Sequence, residues 1–336
     1  MTKTLIVGHE DVKRLLPMAE CIDVMDGLFG ALARGDVVLP LRQIIPQPDR
    51  KGVFGVMPAY LGSPRAIGGK FITIFNENQD TPYESHQGAV LLFECDNGRL
   101  LAIVDATTIT SIRTAAASGA ATRALARKDA HDLAILGSGS QASAHLAAMR
   151  AVREITRVRV WSRNPEHAQR FARAEGSGGQ RVDVSSSSEE AVSGADIICT
   201  TTAATSPVLK GEWVSPGAHI NAIGASVPGY RELDSRAMAM SKLYTDRRES
   251  LFSEADDFRV PLKEGAINED HVKGEVGEVI TGKVAGRSSR AEITLFKSQG
   301  LAVEDLAAAY HVYTKAEEKR LGTWVEFSGE RETRSG

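Results

Sequence analysis

The stretch Ala134-Ile135-Leu136-Gly137-Ser138-Gly139-Ser140-Gln141-Ala142 decides the fold of this chain. An apolar, strand-like run leads into Gly-x-Gly-x-x-Ala, and an amphipathic segment, residues 142–152, follows directly. The first glycine permits a tight turn, the second lets a pyrophosphate approach the backbone, and the alanine lets helix and strand pack. Because N–H groups at a helix start face bound phosphates, the motif in this context predicts dinucleotide binding, whereas the motif alone would be weak evidence.

Short apolar segments alternate with amphipathic segments from this turn onward. The predicted strands are residues 133–136, 158–161, 196–200, 219–223 and 242–246. The predicted helices between them include residues 142–152 and 166–175. This alternation predicts an α/β fold with a doubly wound parallel sheet of the Rossmann type.

The chain before residue 113 has a mixed α+β pattern. Asp11 is a candidate cap for a first helix, and Asp96-Asn97-Gly98 predicts a hairpin turn between strands at residues 88–95 and 100–105. Further predicted elements are strands at residues 52–58 and 67–75 and helices at residues 110–125 and 303–321. The last helix can return to the first domain, so we expect that domain to be discontinuous in sequence.

Length and charge limit the classes of function. The 336 residues are enough for two domains, and 40 basic against 43 acidic residues give a net charge of −3. Such a weak field argues against nucleic acid or an anionic membrane as a partner. The three cysteines have neither CxxC nor metal-ligand spacing, no signal peptide is recognisable, and no apolar run reaches about 18 residues. We therefore expect reduced thiols, no metal and a cytoplasmic location.

The end of the second strand bears on the choice of cofactor. NAD enzymes usually place an acidic residue there for the ribose 2′-OH, but this chain has Ser162, Arg163 and Asn164 and no carboxylate before Glu166. Arg163 suits a 2′-phosphate, which favours NADP and leaves NAD possible; the alternative is a solvated surface arginine. The full set of predicted cofactor-binding residues is Thr114, Gly137, Gly139, Ser140, Gln141, Ala142, Ser162, Arg163, Asn164, Thr202 and Ile223.

Three basic residues, Arg42, Lys70 and Arg113, stand out in the first part of the chain. Lys70 and Arg113 lie among apolar or small residues, where a cation needs a partner. That partner can be the carboxylate of a ligand, which suits the planar guanidinium group, or it can be an internal salt bridge. Spacing alone does not separate the two interpretations.

Four long segments, residues 85–94, 109–116, 211–226 and 296–305, together resemble the ornithine cyclodeaminase/mu-crystallin family. The resemblance extends to about residue 320. It implies a homodimer, with a dimerisation and substrate domain at residues 1–115 and 304–327 and a Rossmann domain at residues 116–303. Residues 328–336 are expected to form a disordered tail.

The resemblance also implies roles for individual residues. Arg42, Lys70 and Arg113 match residues that hold the substrate carboxylate beside the nicotinamide, and His86, Gln87 and Thr114 match residues near its reactive end. His86 can be a proton relay or a structural histidine. Two departures from the patterns of the family matter, at the substrate-facing residues Ser226 and Gln299.

Ser226 stands where ornithine cyclodeaminases carry an aspartate that handles the side-chain amine. Its absence removes an acid/base group and favours the ketimine reductase branch. Gln299 stands where mu-crystallin-like ketimine reductases have an apolar leucine, so it either binds a polar group at the far end of the substrate or turns its amide to water.

The expected activity is NAD(P)H-dependent reduction of the C=N bond of a small 2-imino acid, either a cyclic ketimine or a linear imine such as iminosuccinate. Arg42 and Arg113 would hold the carboxylate, and Lys70 would supply or relay the proton. Alternatives are an amino-acid dehydrogenase of the alanine dehydrogenase type, an NADP-dependent binding protein without turnover and, less favoured, an ornithine cyclodeaminase.

Overall fold

A computed structural model describes residues 3–49, 51–75, 77–78, 81–176 and 181–327. The predicted tail, residues 328–336, lies outside the described residues. The strands are β1 (Lys3–Val7), β2 (Val37–Val38), β3 (Gln43–Pro46), β4 (Val53–Gly62), β5 (Arg65–Ile74), β6 (His86–Phe93), β7 (Leu100–Asp105), β8 (Asp132–Leu136), β9 (Arg157–Trp161), β10 (Val182–Val184), β11 (Ile197–Thr200), β12 (His219–Ala222), β13 (Lys242–Thr245), β14 (Val272–Glu275), β15 (Thr294–Lys297) and β16 (Thr323–Glu326). The helices are α1 (His9–Leu15), α2 (Met18–Arg34), α3 (Ala106–Leu125), α4 (Ser140–Val152), α5 (Pro165–Glu175), α6 (Ser188–Val192), α7 (Ser235–Met240), α8 (Arg248–Glu254), α9 (Asp256–Lys263), α10 (Val276–Ile280) and α11 (Ala302–Lys319).

The chain divides into two compact units. The first comprises Met1–Val24, Arg34–Arg113 and Leu301–Gly336, and the second comprises Met25–Ala33 and Thr114–Gly300. The first unit is therefore discontinuous in sequence, because the C-terminal helix α11 and strand β16 join the N-terminal segments.

The first unit is built on one sheet in the order β16-β1-β7-β6-β5-β4-β2, with β3 also paired to β4. Neighbouring strands are antiparallel except β1 and β7, which are parallel. Side chains alternate along β4, so that Met57, Ala59 and Leu61 are buried while Phe54 and Pro58 face outward. Helix α11 packs on β4 and β5.

Two local predictions for this unit need correction or refinement. The predicted hairpin of β6 and β7 is confirmed, but its connection spans residues 94–99, with Gly98 at φ +76° and the Glu94 N–H donating to the Arg99 carbonyl at 2.8 Å. The proposed cap Asp11 is wrong, because α1 begins at His9 with Gly8 at its N-cap. Asp11 lies in the first helical turn instead, where the helix dipole still favours an acidic side chain.

The second unit contains a parallel sheet in the order β10-β9-β8-β11-β12-β15-β13-β14. The five predicted strands are confirmed within one residue at each end as β8, β9, β11, β12 and β13. From β8 the chain moves outward to β9 and β10, then returns to form β11 and β12 on the other side. This reversal makes the sheet doubly wound and confirms the predicted fold class.

Because every neighbouring pair in this sheet is parallel, the carboxyl ends of the strands meet at one edge. In doubly wound sheets, ligands bind at this edge where the winding direction reverses, which here is between β8 and β11. The core behind the edge is apolar and fully buried, with Leu136, Ile198, Ile220 and Leu295 contributed by four of the strands.

The described residues also bear on membrane spans, metal sites and cysteine pairing. None of their helices combines the length and the apolar character that a membrane span requires. Within the same residues, no three or more His, Cys, Asp or Glu side chains are grouped so that they could hold a metal ion. Cys21, Cys95 and Cys199 are unpaired thiols, as the sequence predicts.

Candidate functional site

Gly137 follows β8 with a φ of +121°, a conformation that side chains rarely adopt. A Cβ atom there would lie 2.5 Å from Thr201 Oγ1 and 2.8 Å from the Thr201 carbonyl oxygen. The Gly137 N–H donates to the Trp161 carbonyl oxygen at 2.8 Å, which ties the turn to the end of β9. The fold itself therefore requires a glycine at this position.

Gly139 is different, because a Cβ atom at this position would meet no other group within 4 Å. It is the N-cap of α4 and offers no side-chain cap, and a helix start leaves its first N–H groups without intrahelical partners. Nothing in the packing explains this glycine, but a phosphate close to the backbone does. Ser140 and Gln141 open the helix, and the fully buried Ala142 packs it on the sheet. The turn thus fits a dinucleotide.

The residues after β9 have local partners. Ser162 Oγ accepts a hydrogen bond from Ser138 Oγ at 3.0 Å. Asn164 Oδ1 accepts from the Glu166 N–H at 3.0 Å and caps α5, which gives this side chain a structural role. Arg163 between them is exposed. Its position suits contact with a phosphate but equally suits a solvated arginine.

Thr202 and Ile223 follow β11 and β12 at the same edge of the sheet. Both the N–H and the hydroxyl of Thr202 donate to Glu232 Oε1, at 2.6 and 2.7 Å. Ile223 is buried, and its N–H donates to the Thr200 carbonyl oxygen at 3.0 Å. Thr114, the remaining predicted cofactor residue, is buried on α3.

The two substrate-facing candidates in the second unit lie in loops at this edge. Ser226 is half-buried two residues after Gly224. Gln299 follows β15, and its backbone N–H donates to Asp246 Oδ2 at 2.6 Å. The residue as a whole is only 2% exposed, so its side-chain amide is buried. The interpretation in which the Gln299 amide turns to water is therefore wrong.

In the first unit, Lys70 and Arg113 are 2% and 4% exposed, and buried carboxylates pair with both. Asp305 bridges the two cations, since its Oδ2 lies 2.9 Å from Lys70 Nζ and its Oδ1 accepts from Arg113 Nε at 2.8 Å. Arg113 Nη1 also donates to Glu304 Oε2 at 2.7 Å. The internal salt bridge that the sequence left open is thus present, and burial of these cations does not by itself indicate a ligand.

The chemistry of the cluster still differs from that of a saturated salt bridge. Lys70 donates to Thr110 Oγ1 at 3.3 Å and is paired with one carboxylate, although an ammonium group has three protons. Burial lowers the pKa of Lys70 to about 8, with Arg113 and Arg42 adding to the effect and Asp305 opposing it. Lys70 can therefore gain or lose a proton near neutral pH.

The neighbouring groups keep one charge state at neutral pH. Burial alone would lower the pKa of Arg113, but Asp305 and Glu304 raise it. Burial also tends to raise the pKa of Asp305, but Arg113 and Lys70 hold it below its usual value. Lys70 and Arg113 thus face two carboxylates, and half-buried Arg42 adds a further positive charge that acts on Lys70.

His86 lies on the same face of the sheet as Lys70, because the register pairs Lys70 with Val90 and Ile74 with His86. Burial lowers the pKa of His86 to about 4, and the positive charges of Lys70 and Arg113 contribute. Its Nδ1 lies 2.9 Å from Ser85 Oγ. The ring is therefore neutral at neutral pH, so it is a poor proton source although it can still accept or donate a hydrogen bond.

Sequence reasoning missed the acidic residues of both units. Glu304 and Asp305 form adjacent carboxylates in the first turn of α11, directly before a mainly apolar run, and that placement was the available signal. Glu232 and Asp246, both buried in the second unit, gave no comparable signal because they stand among other polar residues.

Comparison with known proteins gives consistent matches along the chain. The model of the ornithine cyclodeaminase/mu-crystallin family matches residues 2–320. Ketimine reductase mu-crystallin of Mus musculus is 44% identical over 280 residues, which cover 83% of this chain and 85% of the mouse protein.

Two solved structures extend the comparison to the fold. The Δ(1)-pyrroline-2-carboxylate reductase of Thermococcus litoralis, solved in complex with NADH and L-proline, aligns with a TM-score of 0.93 and 38% identity over 95% of this chain and 99% of its own. An archaeal alanine dehydrogenase, a dimer with bound NAD, aligns with a TM-score of 0.91 and 34% identity over 97% of this chain and 100% of its own.

Proposed function

Because the chain belongs to the ornithine cyclodeaminase/mu-crystallin family, we propose that it reduces the C=N bond of a small 2-imino acid with a nicotinamide dinucleotide. Relatives named ketimine reductase and pyrroline-2-carboxylate reductase support this reaction. The observation that carries the proposal is the buried Lys70 with a pKa of about 8 beside two arginines.

The residues of the first unit hold the substrate and supply the proton. Arg113 and Arg42 bind the carboxylate of the imino acid, because a planar guanidinium group can donate two parallel hydrogen bonds to a carboxylate. Lys70 donates a proton to the imine nitrogen and is then reprotonated from solvent. The negative charge of Asp305 helps to keep Lys70 protonated up to about pH 8. In this role the neutral His86 orients the substrate or Lys70 and does not relay the proton.

The residues of the second unit hold the cofactor, which supplies the hydride when it is bound. The turn at Gly137 and Gly139 takes the pyrophosphate, and Ser140, Gln141 and Ala142 form the helix start behind it. Thr114, Ser162, Asn164, Thr202 and Ile223 complete the proposed cofactor site.

Within this proposal, NADPH is the preferred cofactor. Arg163 is exposed at the end of β9, and no carboxylate is available there for a ribose 2′-OH. The Thermococcus litoralis relative binds NADH, so the preference needs a direct comparison of the two cofactors. NADH remains the second candidate.

The substrate is a 2-imino acid without a side-chain amine to be eliminated. Ser226 offers no carboxylate for deamination, which supports reduction over ornithine cyclisation. Gln299 supplies a buried amide to a polar group at the far end of the substrate, such as a second carboxylate. Cyclic ketimines such as pyrroline-2-carboxylate are the other substrate class.

In this proposal, residues 1–115 with 304–327 also form the dimerisation domain, and residues 116–303 form the cofactor domain. The sheet of the first unit exposes apolar side chains on its outer face, including Val38 and Ile45, which is 56% exposed. Phe54 and Phe71 stack on the same face with ring centroids 6.4 Å apart. An exposed patch of this kind is typical of an interface, and a second copy of the chain is the proposed partner.

A panel of cyclic and linear imino acids, each tested with NADPH and NADH, measures the activity directly. Lys70→Met should abolish most turnover and leave cofactor binding intact. The matched control is Lys242→Met, which removes a half-buried lysine that donates to the Gly286 carbonyl oxygen at 3.1 Å at the opposite edge of the second sheet. Full activity of Lys70→Met would refute the assignment of the proton donor.

An amino-acid dehydrogenase is the second candidate function, favoured by the 34% identity to an archaeal alanine dehydrogenase. Faster reduction with pyruvate plus ammonium than with any preformed imine would establish it. Cofactor binding without oxidation of either reduced cofactor across the panel would instead indicate a binding protein without turnover.

A further inference from the structure

A fully buried glutamate, Glu232, accepts four hydrogen bonds at the carboxyl edge of the second sheet. Its Oε1 accepts from the Thr202 N–H and the Thr202 hydroxyl at 2.6 and 2.7 Å. Its Oε2 accepts from the Thr200 hydroxyl and the Gly224 N–H, both at 2.7 Å. Only the ionised carboxylate can accept all four, because a protonated oxygen must donate a bond of its own.

These bonds join two loops that are distant in sequence, the one after β11 and the one after β12. Gly224 shows how closely they approach, because a Cβ atom there would lie 1.9 Å from the Thr202 carbonyl oxygen. The glycine and the glutamate thus serve the same contact, one by leaving space and the other by supplying acceptors. Loss of the Glu232 acceptors would release both loops.

A second buried layer fixes Glu232 itself. Asp257 Oδ1 accepts from the N–H groups of Glu232 and Leu233 at 2.8 and 2.9 Å, and Asp257 Oδ2 lies 3.5 Å from Lys297 Nζ. Burial raises the pKa of Glu232, as does Asp257, whereas Lys297 and Thr202 lower it. Two buried carboxylates are thus matched by one lysine, an arrangement that is costly for a purely structural clamp.

The location of these two loops relates the hydrogen bonds of Glu232 to cofactor binding. The glycine turn follows β8, and the winding of the sheet reverses between β8 and β11. A dinucleotide that places its pyrophosphate at that turn extends across the strands on the other side of the reversal, which are β11 and β12. Their loops, at Thr202 and Gly224, therefore border the half of the cofactor that carries the nicotinamide.

We propose that Glu232 is a positioning residue for the nicotinamide half of the cofactor. It acts through Thr202 and Gly224, whose loops it holds in one arrangement, and it makes no contact with the reacting atoms. The inference rests on the proposed function, because it assumes that a nicotinamide dinucleotide binds at the glycine turn.

The test uses a Glu232→Gln variant and compares its affinity for the whole dinucleotide with its affinity for the adenosine half alone. The amide has nearly the same shape, but its NH₂ group faces two donors and leaves them without acceptors. We expect the dissociation constants of NADPH and NADH to rise at least about ten-fold. Those of AMP and 2′,5′-ADP, which contact only the glycine turn and the end of β9, should change less than about two-fold. Glu232→Asp keeps the charge and should recover part of the dinucleotide affinity.

Asp196→Asn is the matched control. Asp196 Oδ2 accepts from the N–H groups of His131 and Asp132 at 3.0 and 3.1 Å. It therefore connects the starts of β8 and β11, at the end of the same sheet opposite to Glu232. This variant should lower the melting temperature without changing the affinity for any of the four ligands. If Glu232→Gln does not fold, Thr200→Val removes one of the four donors by an isosteric change and should weaken dinucleotide binding selectively, though less.

Each outcome separates the two proposals. Failure of the wild-type protein to bind either dinucleotide would overturn the proposed function. Normal dinucleotide affinity in a folded Glu232→Gln variant, or in Thr200→Val where that variant replaces it, would overturn the positioning role alone. An equal loss of affinity for the dinucleotides and for AMP would also overturn it, because the residue would then act on the stability of the whole sheet.

Discussion

Replacing Asp305 by Asn tests whether the buried carboxylate sets the protonation of Lys70. Asp305 Oδ2 lies 2.9 Å from Lys70 Nζ, and its charge opposes the effect of burial on this lysine. A proton donor to an imine nitrogen must be protonated, so reduction by the wild-type protein should be fastest below pH 8 and decline above it. The reverse reaction, oxidation of the amino acid, needs Lys70 as a neutral amine that can accept the proton. Its rate should therefore rise with pH where the rate of reduction falls.

The size of the effect follows from the geometry of the pair. An opposite charge at this distance typically moves a pKa by about one to three pH units, so the Lys70 pKa should fall from about 8 to about 5–7. At pH 7 the protonated fraction then falls from about nine-tenths to about one-tenth if the pKa is near 6, which lowers turnover about ten-fold. Loss of a buried charge partner should also destabilise the fold by about 3–5 kcal/mol.

The assay is kcat for imine reduction as a function of pH, with the melting temperature measured on the same samples. Glu304→Gln is the matched control, because Glu304 is equally buried on the same helical turn and pairs with Arg113 Nη1. It should cost similar stability while leaving the alkaline decline of kcat near pH 8. The reasoning is refuted if Asp305→Asn is folded and its alkaline decline stays where the wild-type protein has it.

Four further predictions follow from the site and the surface. Gly139→Ala should leave the melting temperature unchanged and weaken dinucleotide binding at least about ten-fold, whereas Gly137→Ala should destabilise the fold by about 1–3 kcal/mol or more; thermal unfolding and titration distinguish them. Arg163→Glu should reduce the ratio of kcat/KM for NADPH to that for NADH, and an unchanged ratio would mean that Arg163 is a solvated surface residue. Arg113→Met should cost about 3–5 kcal/mol in chemical denaturation, because Glu304 and Asp305 lose their shared partner. Phe54→Glu should convert the proposed homodimer to monomers in sedimentation, and a dimer that persists would place the interface elsewhere.

The sequence predicts the second unit well because its signals are local. Each strand is a short apolar run followed by a turn or an amphipathic helix, and Gly137 and Gly139 mark where the first strand ends. Such patterns depend on burial of nearest neighbours in the chain. The sequence does not predict strands β10, β14 and β15, and the place of β15 between β12 and β13 depends on pairing with strands distant in sequence.

In the first unit, less of the site can be predicted from the sequence. Lys70 and Arg113 are recognisable as cations in an apolar context, but their partners are the side chains of Asp305 and Glu304, which lie some two hundred residues away in sequence. A pattern of residues cannot give that pairing, since it arises when α11 packs on β4 and β5. The same holds for the Lys70 pKa, which depends on burial and on charges contributed by three separate elements.

The sequence by itself thus determined the parallel sheet, the glycine turn and the kinds of residue that a carboxylate ligand would need. Local conformation and hydrophobic pattern are properties of contiguous residues, so they can be read without knowing the fold. Only the tertiary structure decided that Lys70 is paired yet able to titrate, that Gln299 is buried, and that Glu232 joins two loops. Each of these depends on charges and hydrogen bonds between distant segments, and their energies are set by a burial that exists only in the folded chain.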